Sequence, residues 1–424
     1  MTLAPIGSAE RIRGIDIARG IALLGILLVN ARFFFSPLAV SIDPTVVPPG
    51  LEVTTLDAVV WSVVEALCSF KFISLFSILF GFGLAMQAER AHAAGTSRAA
   101  FGARRLGMLL ALGLVHGLVV WYGDILTLYA VLGVAVLCCA QLSARTVLVL
   151  ALGVACVTLA ATCLVAGLQF ASAVVSHPYV EGVVADDPAS TARGLDAMRD
   201  SYFNVRSDIW MNAEIAAFRE GPFLDAAIFR AANFAMSYIA ALFGYGWHSL
   251  AMMLLGVYAL RSGLFGADES ASRRRRTITV VGLVVGLPTA AAAPGAFWIF
   301  GLGSPGAAAL HLVLLEFGAL VLPLAYASAI VEWGPRLPAF LATALERTGR
   351  MSLTVYLSES VVCTALASWW GFALFGTVAD ARMALIALSV WTALVVLATW
   401  WLGRFRIGPM EWLWRRAAYA RNPD

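Results

Sequence analysis

An all-α fold, a polytopic membrane bundle of about ten transmembrane helices, follows from three features of the sequence. Hydrophobic residues fill 61% of the 424 positions and charged residues only 13%. Soluble domains carry about twice that charge, so a soluble globule of this size would lack the polar surface to stay in solution. The apolar residues gather in runs near the roughly 20 residues that cross about 30 Å of hydrocarbon, and the arginines gather between the runs. This composition excludes a cytosolic enzyme, a nucleic-acid binder and a disordered chain. Residues 1–424 read as a single transmembrane domain in the plasma (cytoplasmic, inner) membrane, with the lipid bilayer as its principal partner; a homo-oligomer is compatible with it.

The first span, 20–36, follows Arg11, Arg13 and Arg19 and runs into Arg32 and three phenylalanines. No small-x-small cleavage signature follows, so it reads as an uncleaved span rather than a signal peptide. Further spans are expected at 70–88, 106–122, 125–142, 146–172, 277–299, 306–331, 352–375 and 383–402. The 37-residue stretch 226–262 is long for one crossing and short for two. Basic residues collect in cytoplasmic loops. With the N-terminus inside, Arg90, Arg98, Arg104 and Arg105 fall inside, and a single crossing of 226–262 puts the four arginines at 273–276 inside as well. The expectation is therefore one span at 240–261, an interfacial or re-entrant piece at 226–238, ten crossings, and both termini cytoplasmic.

Two segments lie on the outer side in this arrangement. The acidic loop 173–225 contains Asp196, Asp208, Glu214 and Glu220, and Ser190-Thr191 is suited to cap a helix running to about 219. It reads either as a solvated cap or as a lid over an outward pocket. The stretch 54–69 reads as an amphipathic helix with Asp57 and Glu65 on its polar side. The six cysteines sit in or beside apolar runs and read as small apolar residues. There is no metal-ligand constellation and no nucleotide-binding Gly-rich loop.

Ionisable groups inside spans are costly and need a partner or a task. Asn30, Arg32, Lys71, His116, Tyr122, Asp124, His311 and Glu316 fall toward the outer face, Asp16 and Arg19 toward the inner, and His248 and Glu359 deeper. Lys71 is the single lysine of the chain. This crowding suits a site near the outer surface reached through the bundle. His116 and Asp124 carry the strongest chemistry, because a carboxylate beside an imidazole fixes its tautomer for general-base work. Eight residues of helix rise about 12 Å, so Asp124 must fold back to reach His116. Glu316 or His311 are the alternative partners, and a purely structural histidine with Asp124 capping the next helix is the plainer reading. Asn30 reads as interhelical hydrogen-bonding glue or as a donor to an oxyanion.

Four ordered motifs carry a family resemblance. Residues 15–30, IDIARGIALLGILLVN, resemble the opening of the YeiB/DUF418 membrane proteins, roughly L-D-x-x-R-G-x-A-L-L-G-I-L-x-x-N. The likeness continues at 71–83 (KFISLFSILFGFG), at 116–126 (HGLVVWYGDIL) and at 349–360 (GRMSLTVYLSES), the last opening the C-terminal signature region 349–402. This chain has Glu359 where the family usually has Gln, so a titratable group stands in place of an amide. More distantly, the D-x-x-R-G…V-N opening is similar to the transmembrane acyltransferase superfamily, which includes the acyltransferase-3 proteins and heparan-α-glucosaminide N-acetyltransferase. That resemblance implies acyl transfer from cytoplasmic acyl-CoA to an extracytoplasmic glycan, lipid or small molecule, with Asn30 at the transfer site. The heparan enzyme's histidine eleven residues later is absent; the position is Ser41, so either His116 replaces it or the acyltransferase reading fails.

Two function classes follow. In an acyltransferase, Arg19, Arg104 and Arg105 hold the phosphates of acyl-CoA, although the positive-inside bias alone also accounts for arginines there. His116, with Asp124, activates the acceptor, and Asn30 holds the oxyanion. Arg32, Lys71, Tyr122, His311, Glu316 and Glu359 are the candidate substrate contacts. In a transporter or exporter, ten spans fit equally well, but Pro288, Pro294 and Pro323 are not matched between halves as inverted repeats would require.

Overall fold

The computed structural model describes residues 12–175, 194–201 and 203–418. In chain order its helices are α1 (Arg13–Phe35), α2 (Leu38–Ile42), α3 (Thr55–Leu67), α4 (Lys71–Ala93), α5 (Arg98–Val115), α6 (Leu126–Cys139), α7 (Ala144–Val175), α8 (Leu195–Asp200) and α9 (Asp208–Glu220). There follow α10 (Phe223–Phe243), α11 (Tyr245–Arg261), α12 (Glu269–Phe300), α13 (Pro305–Trp333), α14 (Ala339–Arg350), α15 (Ser352–Ala367), α16 (Asp380–Arg404) and α17 (Pro409–Ala418). No strand occurs among the described residues. Eight helical segments there are long and apolar enough to cross a membrane, and α6 and α15 are shorter apolar helices. The protein is an all-α, multi-pass membrane bundle.

The expected helix at 54–69 is present as α3. Thr54 accepts from the Asp57 amide and Asp57 Oδ2 accepts from the Thr54 amide at 2.9 Å, a reciprocal capping box. Three expectations about helix bounds are corrected. Residues 240–261 are not one helix: the chain breaks at Gly244 (φ −140°, ψ −106°), between α10 and α11. The stretch 226–238 is not a separate short piece: it lies within the 21-residue α10, which by itself has the length and apolarity to cross. Residues 194–220 hold two short helices, α8 and α9, rather than one running to 219; Ser207 caps α9 by accepting from the Trp210 amide at 3.2 Å. The expected Ser190-Thr191 cap lies outside the described residues.

Close backbone approach organises the centre. Helices α4 and α11 cross where a methyl group at Gly81 would overlap the Met253 carbonyl, and one at Gly256 would overlap the Ile78 carbonyl. Small residues of this kind let membrane helices pack without a hydrophobic driving force between them. At one end of the α12–α13 hairpin, buried Glu332 gathers Arg275 at 2.8 Å, Arg276 at 2.9 Å and Arg336 at 3.4 Å. The 273–276 arginine run is thus partly a clamp on its neighbour helix.

Candidate functional site

A cavity of about 1230 Å³ follows α1, touching Asp16 and Arg19 at one end and Asn30 and Arg32 at the other. Sixteen residues of helix rise about 24 Å, most of the roughly 30 Å hydrocarbon thickness. Phe76, Phe80, Leu109, Tyr129 and Tyr356 form its apolar middle.

At the Asp16 end, Arg19 pairs with Asp16 at 3.4 Å. Arg105 bonds to Gln87 and lies over the Trp414 ring, 4.2 Å from its centroid. Helix α17 is held across this end by Glu411, which accepts from the amides of Leu353 at 2.8 Å and Thr354 at 3.0 Å and from the Thr354 hydroxyl at 2.6 Å. Burial pushes the Glu411 carboxyl up from its ordinary range. Arg19, Arg105, Arg350 and Arg415 all line the cavity here, whereas Arg104 is exposed and outside the lining. Of the three arginines expected to hold phosphates, the fold brings two to the cavity.

At the other end, the segment after α5 winds into a π-helical turn, His116–Val120, and then extends at Trp121. This carries Asp124 back against His116, with Nδ1 2.9 Å from Oδ1 and both side chains buried. The second carboxylate oxygen accepts from the Thr127 amide at 2.8 Å and lies 3.3 Å from the Tyr238 hydroxyl. Asp124 therefore both caps the start of α6 and fixes the imidazole; the two readings are not exclusive. His116 Nε2 has no hydrogen-bond partner among the described residues. Asp124 and Tyr122 line the cavity, and His116 stands behind that wall, its ring centroid 5.2 Å from that of Tyr356.

The other expected residues divide. Asn30 lines the cavity, and its amide makes no hydrogen bond among the described residues, so it is not bonded to a neighbouring helix. Arg32 pairs with Asp380 at 3.3 Å, and the Tyr122 hydroxyl donates to the Phe33 carbonyl at 3.2 Å. His311 lines the cavity and meets Glu65 at 3.3 Å. Glu316 instead meets His248 at 2.8 Å, so neither His311 nor Glu316 is the partner of His116. Lys71 is fully buried, its ammonium donating to the Glu65 carbonyl at 3.0 Å. Glu359 is buried on α15 with Oε1 unpartnered among the described residues. Lys71, Glu316 and Glu359 lie outside the cavity lining.

Sequence reasoning passed over Ser74, whose hydroxyl is 2.6 Å from His248 Nε2, and Asp380, the partner of Arg32. A serine in an apolar run carries no signal of its own, and Asp380 sits 348 positions from Arg32. In the sequence Glu214 is one of several carboxylates in the acidic loop 173–225. It is fully buried, with its carboxylate accepting from Asn233 Nδ2 at 2.7 Å and the Leu38 amide at 3.2 Å, and burial pushes its carboxyl up to about 7. Among the described residues no group of histidine, cysteine and carboxylate side chains is placed to hold a metal ion.

Residues 259–421 match the model of a family described as "Protein of unknown function (DUF418)". The chain is 30% identical to the uncharacterized protein YeiB of Escherichia coli K12 over 414 residues, covering 96% of each chain. It is 28% identical to the uncharacterized protein YxaH of Bacillus subtilis 168 over 430 residues, 99% of this chain and 96% of that one. A 39.9 kDa uncharacterized protein of Bacillus acidopullulyticus shares 35% identity over 133 residues, 31% of this chain and 35% of its own. No solved structure matches. End-to-end likeness to YeiB, together with the match over the C-terminal third and more, shows that this chain belongs to the DUF418 family of membrane proteins.

Proposed function

We propose that this protein is a membrane acyltransferase that moves an acyl group from acyl-CoA at the Asp16 end of the cavity to an acceptor at the Asn30 end. The observation that carries the reading is the cavity itself, which joins a cluster of arginines to a buried imidazole–carboxylate pair across most of a bilayer's thickness. The arginine distribution supports a cytoplasmic Asp16 end and an acceptor on the outer side. Guanidinium groups suit phosphates, so Arg19 and Arg105, with Arg350 and Arg415 beside them, are the groups to hold the nucleotide part of the donor. The apolar middle accommodates the pantetheine arm. Asp124 holds the Nδ1 proton of His116, leaving Nε2 as the base that takes a proton from the acceptor hydroxyl or amine. The unbonded Asn30 amide is the donor for the carbonyl oxygen as it becomes an oxyanion.

Purified protein in lipid nanodiscs should bind acetyl-CoA in isothermal titration, and Arg105→Ala together with Arg19→Ala should weaken that binding. His116→Ala should bind normally but lose acetyl transfer or hydrolysis. Absence of any acetyl-CoA binding, or wild-type turnover by His116→Ala, would overturn the reading. Counterflow uptake of a solute by reconstituted protein without acyl transfer would replace it with a transporter.

A further inference from the structure

Behind Phe70 and Ile73, which line the cavity, three side chains from three helices stand in a row. Ser74 Oγ on α4 lies 2.6 Å from His248 Nε2 on α11, and His248 Nδ1 lies 2.8 Å from Glu316 Oε1 on α13. A hydroxyl, an imidazole and a carboxylate in this order are what nucleophilic acyl transfer requires: the carboxylate sets the tautomer, and the imidazole takes the hydroxyl proton as the oxygen attacks. We propose that Ser74 is an acyl-carrying nucleophile, with His248 as its base, Glu316 as the residue positioning that base, and Phe70 as the cover over all three. This rests on the acyl-transfer reading above and deepens it, replacing direct transfer by two displacements.

Proton placement supports the arrangement. With Glu316 as carboxylate, the proton of neutral His248 sits on Nδ1 and Nε2 carries a lone pair. The single hydroxyl hydrogen of Ser74 has two acceptors within reach, the Phe70 carbonyl and Nε2 at 2.6 Å, and as a free rotor it can turn to the imidazole. The Phe70 carbonyl gives it a resting acceptor when His248 is protonated. Buried Lys71 interacts electrostatically with Glu316 and offsets its charge inside the bundle. Ser74 stands in the first turn of the 23-residue α4, where the helix dipole favours a developing alkoxide.

Access is the remaining requirement, since Ser74 is 1% exposed. Phe70 has φ +60°, a left-handed conformation that costs a bulky side chain about 1–3 kcal/mol. Its ring stands edge-on to His248 at 6.3 Å. A residue held in strain over a buried triad is placed to swing aside when a substrate fills the cavity.

The chemistry balances in two steps. Ser74 Oγ attacks the thioester carbonyl, the new C–O bond forms, the C–S bond breaks, the thiolate leaves, and His248 keeps the serine proton. The acceptor then attacks the Ser74 ester and gives its proton to His116. The ester C–O bond breaks as His248 returns its proton to Ser74, and the proton on His116 passes through water to the thiolate. Each imidazole thus has its own half-reaction.

The test is labelling of the full-length protein in nanodiscs with a fluorophosphonate probe, with the modified peptide identified by mass spectrometry. Ser74 should be modified; His248→Ala and Glu316→Gln should slow labelling about 10²-fold or more; Phe70→Ala should speed it; and Glu269→Gln, at an exposed position on α12, should leave it unchanged. No modification of Ser74 in either the wild type or folded Phe70→Ala would overturn the proposal, as would Ser74→Ala transferring acetyl at the wild-type rate. If Ser74→Ala does not fold, the modified peptide of the wild type decides. Ser74 labelling in a protein that neither binds nor consumes acyl-CoA would sink the acyl-CoA reading while leaving the nucleophile in place.

Discussion

His116 Nδ1 and Asp124 Oδ1 meet at 2.9 Å although the residues are eight positions apart at the end of a membrane helix. A continuous α-helix would separate them by about 12 Å. The π-helical turn His116–Val120 and the extended residue after it close that gap, and π-turns within helices frequently mark functional sites. The pair is expected to act as one unit. Asp124→Asn should lower acyl transfer about 10²- to 10⁴-fold, nearly as much as His116→Ala, and the double variant should be little worse than either. Additive losses in kcat would show that the two do not cooperate.

Asp124 also accepts from the Thr127 amide, so its replacement has a structural cost separate from chemistry. Asp124→Ala should destabilise the fold by about 1 kcal/mol through the lost cap, and by more because a buried imidazole loses its partner. Asp124→Asn, which retains an acceptor, should be milder. Thermal unfolding in one detergent compares the two.

Glu214 gives a pH dependence with a definite sign. Its carboxyl is pushed up to about 7 by burial, against an ordinary 4.5. The folded state therefore binds the proton more tightly than the unfolded state. This contribution is fully present below about pH 4.5 and is lost as pH rises through about 7. A shift of that size corresponds to about 3 kcal/mol. Stability measured from pH 5 to pH 8 should fall, and Glu214→Gln should flatten the fall. An unchanged slope would mean that other groups set it.

Glu332 holds Arg275, itself buried, together with Arg276 and Arg336. Removing one partner of a buried ion pair leaves an uncompensated charge, at a cost of about 3–5 kcal/mol. Glu332→Gln should lower the melting temperature more than Glu269→Gln, whose carboxylate is exposed and 4.0 Å from Arg273. Equal melting temperatures would show that the arginines find solvent instead.

Gly81 and Gly256 face carbonyls of the opposing helix, so larger residues must push α4 and α11 apart. Gly256→Leu should unfold at markedly lower temperature and, because Ser74 and His248 sit on these two helices, should also lose probe labelling at Ser74. Gly153, with open space around it on α7, is the control position and should tolerate leucine.

The sequence by itself determined what depends on composition, run length and near neighbours. Low charge and long apolar runs dictate a membrane bundle, because the bilayer demands about 20 apolar residues per crossing. The helix at 54–69 and the nearness of His116 to Asp124 in the chain are local patterns, legible in the sequence. The break at Gly244 escaped the arginine count, since topology rules register net side and not helix continuity. Pairings between distant positions were decided only by the tertiary structure. Glu65 with His311, Arg32 with Asp380, and Ser74 with His248 and Glu316 each join helices far apart in the chain. In an apolar solvent a buried polar group without a partner is costly, yet several residues qualify for each role. Only the packing of α4 against α11 and of α13 beside them selects which ones meet.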